Sequence, residues 1–251
     1  MRRGLPISRG SKLEVRAGYR LLMAEKEILR VRGDIKTTYG KLSRTYAVVE
    51  ERLERGLRQR GLERLKIQQG EVVLEVGFGT GCSLVEMARR AGPVGKVSGI
   101  DLTPEMVRLA RQRLEKERLA ERVELREGDA RKMPYETEQF DVIYISGALE
   151  LFDTPDIPVL LAEIRRVLKP NGRLGVVSMP REGHETSLLL RMYEWAHRTF
   201  PRYASCRPIY VEDAVRGAGF DIQFQEEIRI AGVFPMKIVI ARPEEATQQK
   251  D

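Results

Sequence analysis

Cysteine, histidine and asparagine are all scarce in this chain of 251 residues. Cys82 and Cys206 stand far apart without CxxC spacing, and His184 and His197 are the only histidines. Neither a disulfide framework nor a zinc site is expected from so few ligands. Asn171 is the only asparagine beside abundant Arg and Glu, a bias expected of chains selected for heat resistance. Aromatic residues make up 6% and are not interleaved with basic ones, which argues against a stacking platform for single-stranded nucleic acid. No apolar run approaches the roughly 18 residues of a membrane span. The N-terminal stretch MRRGLPISRGSK lacks the apolar segment of a signal peptide, so a cytoplasmic location is the expectation.

What is present suits a folded α/β chain: 42% hydrophobic and 32% charged residues supply a core and a soluble surface. The net charge of +7 is uneven, since residues 1–66 hold 18 Lys/Arg against 8 Asp/Glu and the remainder 26 against 29. That basic segment fits either peripheral contact with an anionic membrane or a mixed-sign face on solvated helices. Residues 9–33 and 43–66 show helical spacing, with Leu13, Ala17, Leu21, Ala24, Ile28 and Val31 three or four apart and Gly33 and Gly40 between the two runs. We divide the chain into an N-terminal helical segment (1–66), a main domain (67–243) with a variable insertion at 179–210, and a polar tail (244–251).

After Gly70 short β-branched runs alternate with amphipathic helices: EVVLEV (71–76), KVSGI (96–100), RVELR (122–126), FDVIYI (140–145) and GRLGVV (172–177). Helices are expected near 80–91, 103–119 and 156–168, the last stopped by Pro170 in LKPNG. This alternation predicts a mostly parallel sheet with helices on both faces. GAGFDIQFQEE and FPMKIVIARP read as two further strands.

Strand 71–76 runs straight into the glycine loop of LEVGFGTG, which feeds the next helix. That is the ligand position of an open α/β sheet. Gly77 and Gly79 allow a tight turn and a close ligand approach, and Gly81 lets the helix pack close. The spacing is GxGxG, and the sixth position from Gly77, where a dinucleotide fingerprint needs glycine, is Cys82. Glu75 at the mouth of the loop would repel a pyrophosphate, so a ligand carrying positive charge fits better. S-adenosylmethionine has an ammonium and a sulfonium and no phosphate. Asp101 in GIDLTPEM can accept two ribose hydroxyls, Asp129 in EGDARKMP the adenine amino group, and Ala130 offers a backbone N–H. Leu102 and Met106 supply apolar faces for the ring.

These stretches, with LAEIRRVLKPNGRLGVVSM, resemble the class I S-adenosylmethionine-dependent methyltransferases, especially the ubiquinone and menaquinone biosynthesis C-methyltransferases, over roughly residues 39–241. The resemblance implies a Rossmann-like seven-stranded sheet with its last strand antiparallel. It also implies a substrate lid from the N-terminal helices and the segment after the fifth strand. It places Glu75, Gly77, Gly79, Thr80 and Gly81 at the methionine end of the cofactor, Asp101 at the ribose, Asp129 at the adenine and Ser146 to Ala148 behind the fourth strand. Singly, Glu75 also suits a strand end, Asp101 a helix cap ahead of Thr103-Pro104, and Asp129 an ordinary turn.

Methyl transfer mainly needs in-line alignment and exclusion of water, and a weakly acidic nucleophile also gains from a base, for which His184, Glu150 and Tyr46 are candidates. SGALELF stands where [DN]PP[YF] would mark methylation of planar amino groups, and no Pro-Cys pair suits cytosine C5. Nucleic acid is therefore not the expected acceptor. The apolar stretch LLLRMYEWAHRTFP favours a lipophilic quinone precursor, phenol or lipid, with Trp195, Tyr193 and Phe200 expected in the core of the insertion and Cys82 as a small filler. A phospholipid head-group methyltransferase and a non-catalytic cofactor-binding protein are the alternatives. No metal is expected.

Overall fold

The structure is a computed structural model, and it describes residues 55–188, 190–192, 195, 207–230 and 232–245. The expected helix at 9–33 and residues 43–54 of the one expected at 43–66, with Tyr46, lie outside the described residues, as do Tyr193, His197, Phe200 and Cys206.

Five strands run in one direction in chain order: β1 (Val72–Val76), β2 (Lys96–Asp101), β3 (Val123–Glu127), β4 (Phe140–Ser146) and β5 (Leu168–Ser178). A hairpin of β6 (Phe220–Ile230) and β7 (Phe234–Pro243) completes a seven-stranded sheet of order β3-β2-β1-β4-β5-β7-β6. β7 alone runs against the direction of the other six strands, as expected for the last strand. β1 and β4 are apolar along nearly their whole length because both of their faces are covered. The helices are α1 (55–65), α2 (Cys82–Ala91), α3 (Pro104–Lys116), α4 (Asp156–Val167) and α5 (Val211–Gly217).

One face of the sheet packs Leu74, Ile143, Ile145, Val176 and Val239 under α4 and α5. The other packs Val73, Val142, Tyr144, Val177 and Ile238 under α1, α2 and α3. In α3 the buried positions Met106, Ala110 and Leu114 recur every fourth residue, with Pro104 in the first turn and Arg113 and Lys116 in the last. These placements suit both the helix period and its dipole.

Helix α1 buries Leu57, Leu62 and Leu65 in this second core. The Arg173 guanidinium of β5 bonds both carboxylate oxygens of Glu71 at 2.8 Å and the carbonyls of Leu65 and Lys66 at the end of α1. On its other side Arg60 and Arg64 pair with Glu226 of β6, and the Arg64 guanidinium lies 4.4 Å over the Phe224 ring. The helix is thus part of the packed unit, although it precedes the division drawn between residues 66 and 67.

The expected turn at Pro170 differs in detail. Helix α4 ends at Val167, and Leu168 is already extended and paired with Phe140. The next rung joins Val142 to Arg173, so residues 169–172 bulge out between two rungs of one strand. Residue 169 precedes a proline and is steered away from helical geometry, which breaks the helix before the proline itself.

Beyond β5 a short clamp closes the insertion at its base. The Arg181 N–H donates to the Ile209 carbonyl at 2.8 Å, and the Ile209 N–H donates to the Met179 carbonyl at 3.0 Å.

Candidate active site

The loop from β1 to α2 has backbone in the left-handed region at Gly77, Gly79 and Gly81, with φ of 69°, 52° and 80°. A Cβ at Gly77 would lie 2.5 Å from the Ala148 Cβ, and one at Gly81 would lie 2.8 Å from the Ala110 Cβ. These two glycines hold the loop against its neighbours. Nothing lies within 4 Å of a Cβ built at Gly79, so that position faces open space.

Asp101, at the end of β2, ties three loops together. Its Oδ2 accepts the Gly79 N–H at 3.0 Å, its Oδ1 accepts the Thr103 N–H at 2.9 Å, and its backbone carbonyl accepts the Gly128 N–H at 2.9 Å. Burial pushes its carboxyl above the usual range, and the N–H groups of Thr103 and Gly79 oppose that shift. Asp101 therefore does brace the start of α3, but it braces the glycine loop equally. Arg113 reaches from α3 to the Thr80 carbonyl at 2.9 Å and fixes the other side of the loop.

Glu75 is 3% exposed, and its Oε2 has no hydrogen-bond partner. Burial pushes its carboxyl up to about 8, with Asp101 adding repulsion while the Ser83 hydroxyl and Arg58 oppose the shift. An orphaned buried carboxylate costs free energy that a cationic ligand group would offset. A phosphate arriving here would raise both carboxyls further, whereas a cationic group would favour their ionised form. The donor set and the bare loop thus fit S-adenosylmethionine.

Comparison with known proteins agrees with this geometry. A family profile described as "Methyltransferase domain" matches residues 73–172. Those residues are thus similar to a methyltransferase domain, the kind of domain the motifs suggest. A demethylmenaquinone methyltransferase of Lactobacillus johnsonii is 30% identical over 161 residues, covering 64% of each chain. One from Lactococcus lactis is 27% identical over 216 residues, covering 78% of this chain and 82% of its own. The chain thus spans slightly less than two thirds of the L. johnsonii relative. Among solved structures, an S-adenosylmethionine-dependent methyltransferase of Aquifex aeolicus aligns with a TM-score of 0.55 at 22% identity, covering 74% of this chain and 89% of its own. Geranyl diphosphate C-methyltransferase from Streptomyces coelicolor aligns with a TM-score of 0.63 at 14% identity, covering 91% and 98%. Both share the fold of the methyltransferase domain.

Within that domain the remaining expected residues take distinct positions. Leu102 is exposed at the start of the loop after β2. Met106 packs beneath α3, on the side of the helix that faces the sheet with Ala110 and Leu114. Asp129 is clasped by the Arg131 guanidinium at 2.7–3.0 Å, and Arg131 also bonds Asp156 at 2.6 Å. The guanidinium holds the Asp129 carboxyl below the usual range. Ala130 is buried and Ser146 half-buried at the end of β4. Cys82 opens α2 with its Sγ 3.5 Å from the Thr80 Oγ1.

The candidate bases separate. Glu150 is buried directly behind β4 and accepts the Ser178 hydroxyl at 2.7 Å. His184 bonds Glu227 of the outermost strand β6 at 3.0 Å. Since β6 lies three strands from β4 at about 4.8 Å per strand, this ties the imidazole near the sheet's edge. Tyr46 lies outside the described residues. Trp195 was expected in the core of the insertion and is instead 62% exposed.

Sequence reading missed Ser83, Arg113 and Arg131. Ser83 and Arg113 belong to helices read for their apolar pattern, and Arg131 to a loop read only for Asp129 and Ala130. Among the described residues no group of three or more His, Cys, Asp or Glu is placed to hold a metal ion. No described helix is long and apolar enough to cross a membrane.

Proposed function

We propose that the protein transfers a methyl group from S-adenosylmethionine to a small lipophilic acceptor of the quinol or phenol type. The observation that carries the cofactor assignment is the buried, unpartnered Oε2 of Glu75 beside a loop bare enough for close approach. In this reading Glu75 and the loop from Gly77 to Gly81 hold the methionine end, and Asp101 the ribose with its remaining lone pairs. Leu102, Asp129 and Ala130 border the adenine, and Ser146 closes the site behind β4. Bound there, the cofactor supplies a methyl group on a positively charged sulfur, already activated for displacement.

The work of the chain is then positioning and water exclusion, with one proton to remove as the acceptor's carbon or oxygen gains the methyl. Glu150 is the better placed of the described candidates, since it sits directly behind β4 rather than at the far edge with His184. The lipophilic acceptor is supported by the apolar stretch LLLRMYEWAHRTFP and by the relatives named demethylmenaquinone methyltransferases. Turnover of labelled cofactor over a panel of quinols, phenols and lipids tests the reading. Transfer to a quinol such as demethylmenaquinol is the expected result. Tight cofactor binding with no transfer to any acceptor of the panel would refute it.

A further inference from the structure

Helix α1 runs against the strands it covers. A Cβ on Gly175 of β5 would lie 2.9 Å from the Leu65 side chain, and a Cβ on Gly61 would lie 3.1 Å from Val177 and 2.6 Å from the Tyr144 hydroxyl oxygen. Four residues back along the helix, about 6 Å, thus match two residues forward along β5, about 6.6 Å. Tyr144 in turn stands level with Glu75 in the pairing of β4 with β1. Arg58 precedes Gly61 by three residues, so it lies about 4.5 Å further toward the carboxyl ends of the strands, over the start of the glycine loop. Helical side chains lean toward the start of their helix, which carries the guanidinium further the same way.

Arg58 is also a charge on the apolar face of α1. It stands four and seven residues before Leu62 and Leu65, which are 1% and 0% exposed, and so shares the side that the helix presses on the sheet. It is half-buried there, whereas Arg60 and Arg64 are exposed and pair with Glu226 on β6. A cation on the inner side of a helix costs desolvation unless an anion meets it. Its charge is near enough to Glu75 to favour the ionised carboxyl, yet Glu75 keeps one oxygen without a hydrogen-bond partner. An amino acid carries its ammonium and its carboxylate on one carbon. A site for that zwitterion therefore needs an acid and a base side by side at the same end of the loop.

We propose that Arg58 determines specificity for the amino-acid end of the cofactor, its guanidinium taking the α-carboxylate while Glu75 takes the α-ammonium. The inference rests on the S-adenosylmethionine reading above and names the residue that tells the whole cofactor from a form lacking the carboxylate.

Calorimetry on the full chain tests it with S-adenosylhomocysteine and its decarboxylated analogue, which keeps the ammonium and loses only the carboxylate. The unsubstituted chain should bind S-adenosylhomocysteine about tenfold more tightly than the analogue, or better. Arg58→Met keeps an unbranched apolar side chain and should remove that preference, weakening S-adenosylhomocysteine about tenfold while the analogue stays within about twofold. Arg58→Lys should restore part of the preference, since it keeps the charge and loses the planar fork. A residue that only shapes the helix would move both ligands together, so equal losses in Arg58→Met would overturn the proposal. So would an unsubstituted chain that does not distinguish the two ligands. Those results strike Arg58 alone and leave the cofactor reading standing. Absence of any S-adenosylhomocysteine binding to the unsubstituted chain would sink the cofactor reading and this proposal with it.

Discussion

Replacing Glu75 with Gln should make the ligand-free protein less sensitive to pH while weakening its hold on the cofactor. In the folded protein burial pushes the Glu75 carboxyl from 4.5 to about 8, so the folded state binds a proton that the unfolded state has lost across that interval. With more protons on the folded than on the unfolded chain, stability falls as pH rises, by about 1.4 kcal/mol per pH unit. The loss begins near pH 4.5 and is complete above pH 8, where it reaches about 5 kcal/mol, with about 3 kcal/mol already present at pH 7. A glutamine side chain has no proton to lose, so this slope should vanish in the variant, whatever constant its buried amide adds. Urea midpoints for both proteins from pH 5 to pH 9 measure the difference. Saturating S-adenosylhomocysteine should narrow the gap, because its ammonium supplies the missing partner to the wild-type carboxylate and to nothing in the variant. Parallel stability profiles for the two proteins over pH 5 to 8 would refute the reasoning, since they would mean that Glu75 is paired or solvated in the ligand-free state.

Asp101→Ala should weaken cofactor binding by about 2–3 kcal/mol, read by calorimetry, because it removes the carboxylate offered to the ribose and frees the Gly79 and Thr103 N–H groups. Gly77→Ala should cost about 1–3 kcal/mol in urea denaturation, since its Cβ collides with Ala148 at a positive φ. Gly79→Ala should cost less stability, its Cβ meeting nothing in the protein, and should instead raise the dissociation constant of the cofactor. Arg173→Ala should destabilise by about 3–5 kcal/mol in the same urea assay, because Glu71 and the last carbonyls of α1 lose their shared partner. Glu150→Gln keeps the size of the side chain, so a fall in kcat of about 100-fold or more with loss of the acidic limb of the pH–rate profile would mark Glu150 as the base. Unchanged kcat would assign it to holding Ser178.

Much of the sheet was legible because a buried parallel strand must be apolar on both faces, and FDVIYI or EVVLEV cannot be mistaken for a solvated surface. The glycine loop was legible for a related reason: three left-handed positions in five residues leave little choice of side chain. Asp101 was found from its place at the end of β2, yet its bonds to Gly79 and Thr103 join residues 22 apart and two apart, and only the folded loops show both. The clasp of Arg131 on Asp129 was not legible, since it depends on which way the loop after β3 turns. Trp195 misled because composition cannot say which side of a helix meets the core. The spacing of Leu188, Met192 and Trp195 held that information only in relation to Leu190, whose burial fixes the helix's rotation.

The clamp between Met179, Arg181 and Ile209 makes the insertion after β5 separable from the sheet that carries it. Chain leaves and returns through two backbone hydrogen bonds only about 5 Å apart across the pair. What lies between them can lengthen or change sequence at little entropic penalty, because closing a loop costs only about 0.6 kcal/mol more when its length doubles. The register of β5 against β4 and β7 is set elsewhere, by strand pairing that ends at Ser178. The sequence of this excursion can therefore drift while the glycine loop after β1, on the far side of β4, keeps its geometry. Exchanging residues 182–208 between chains of this fold should accordingly leave the sheet register and the glycine loop unchanged.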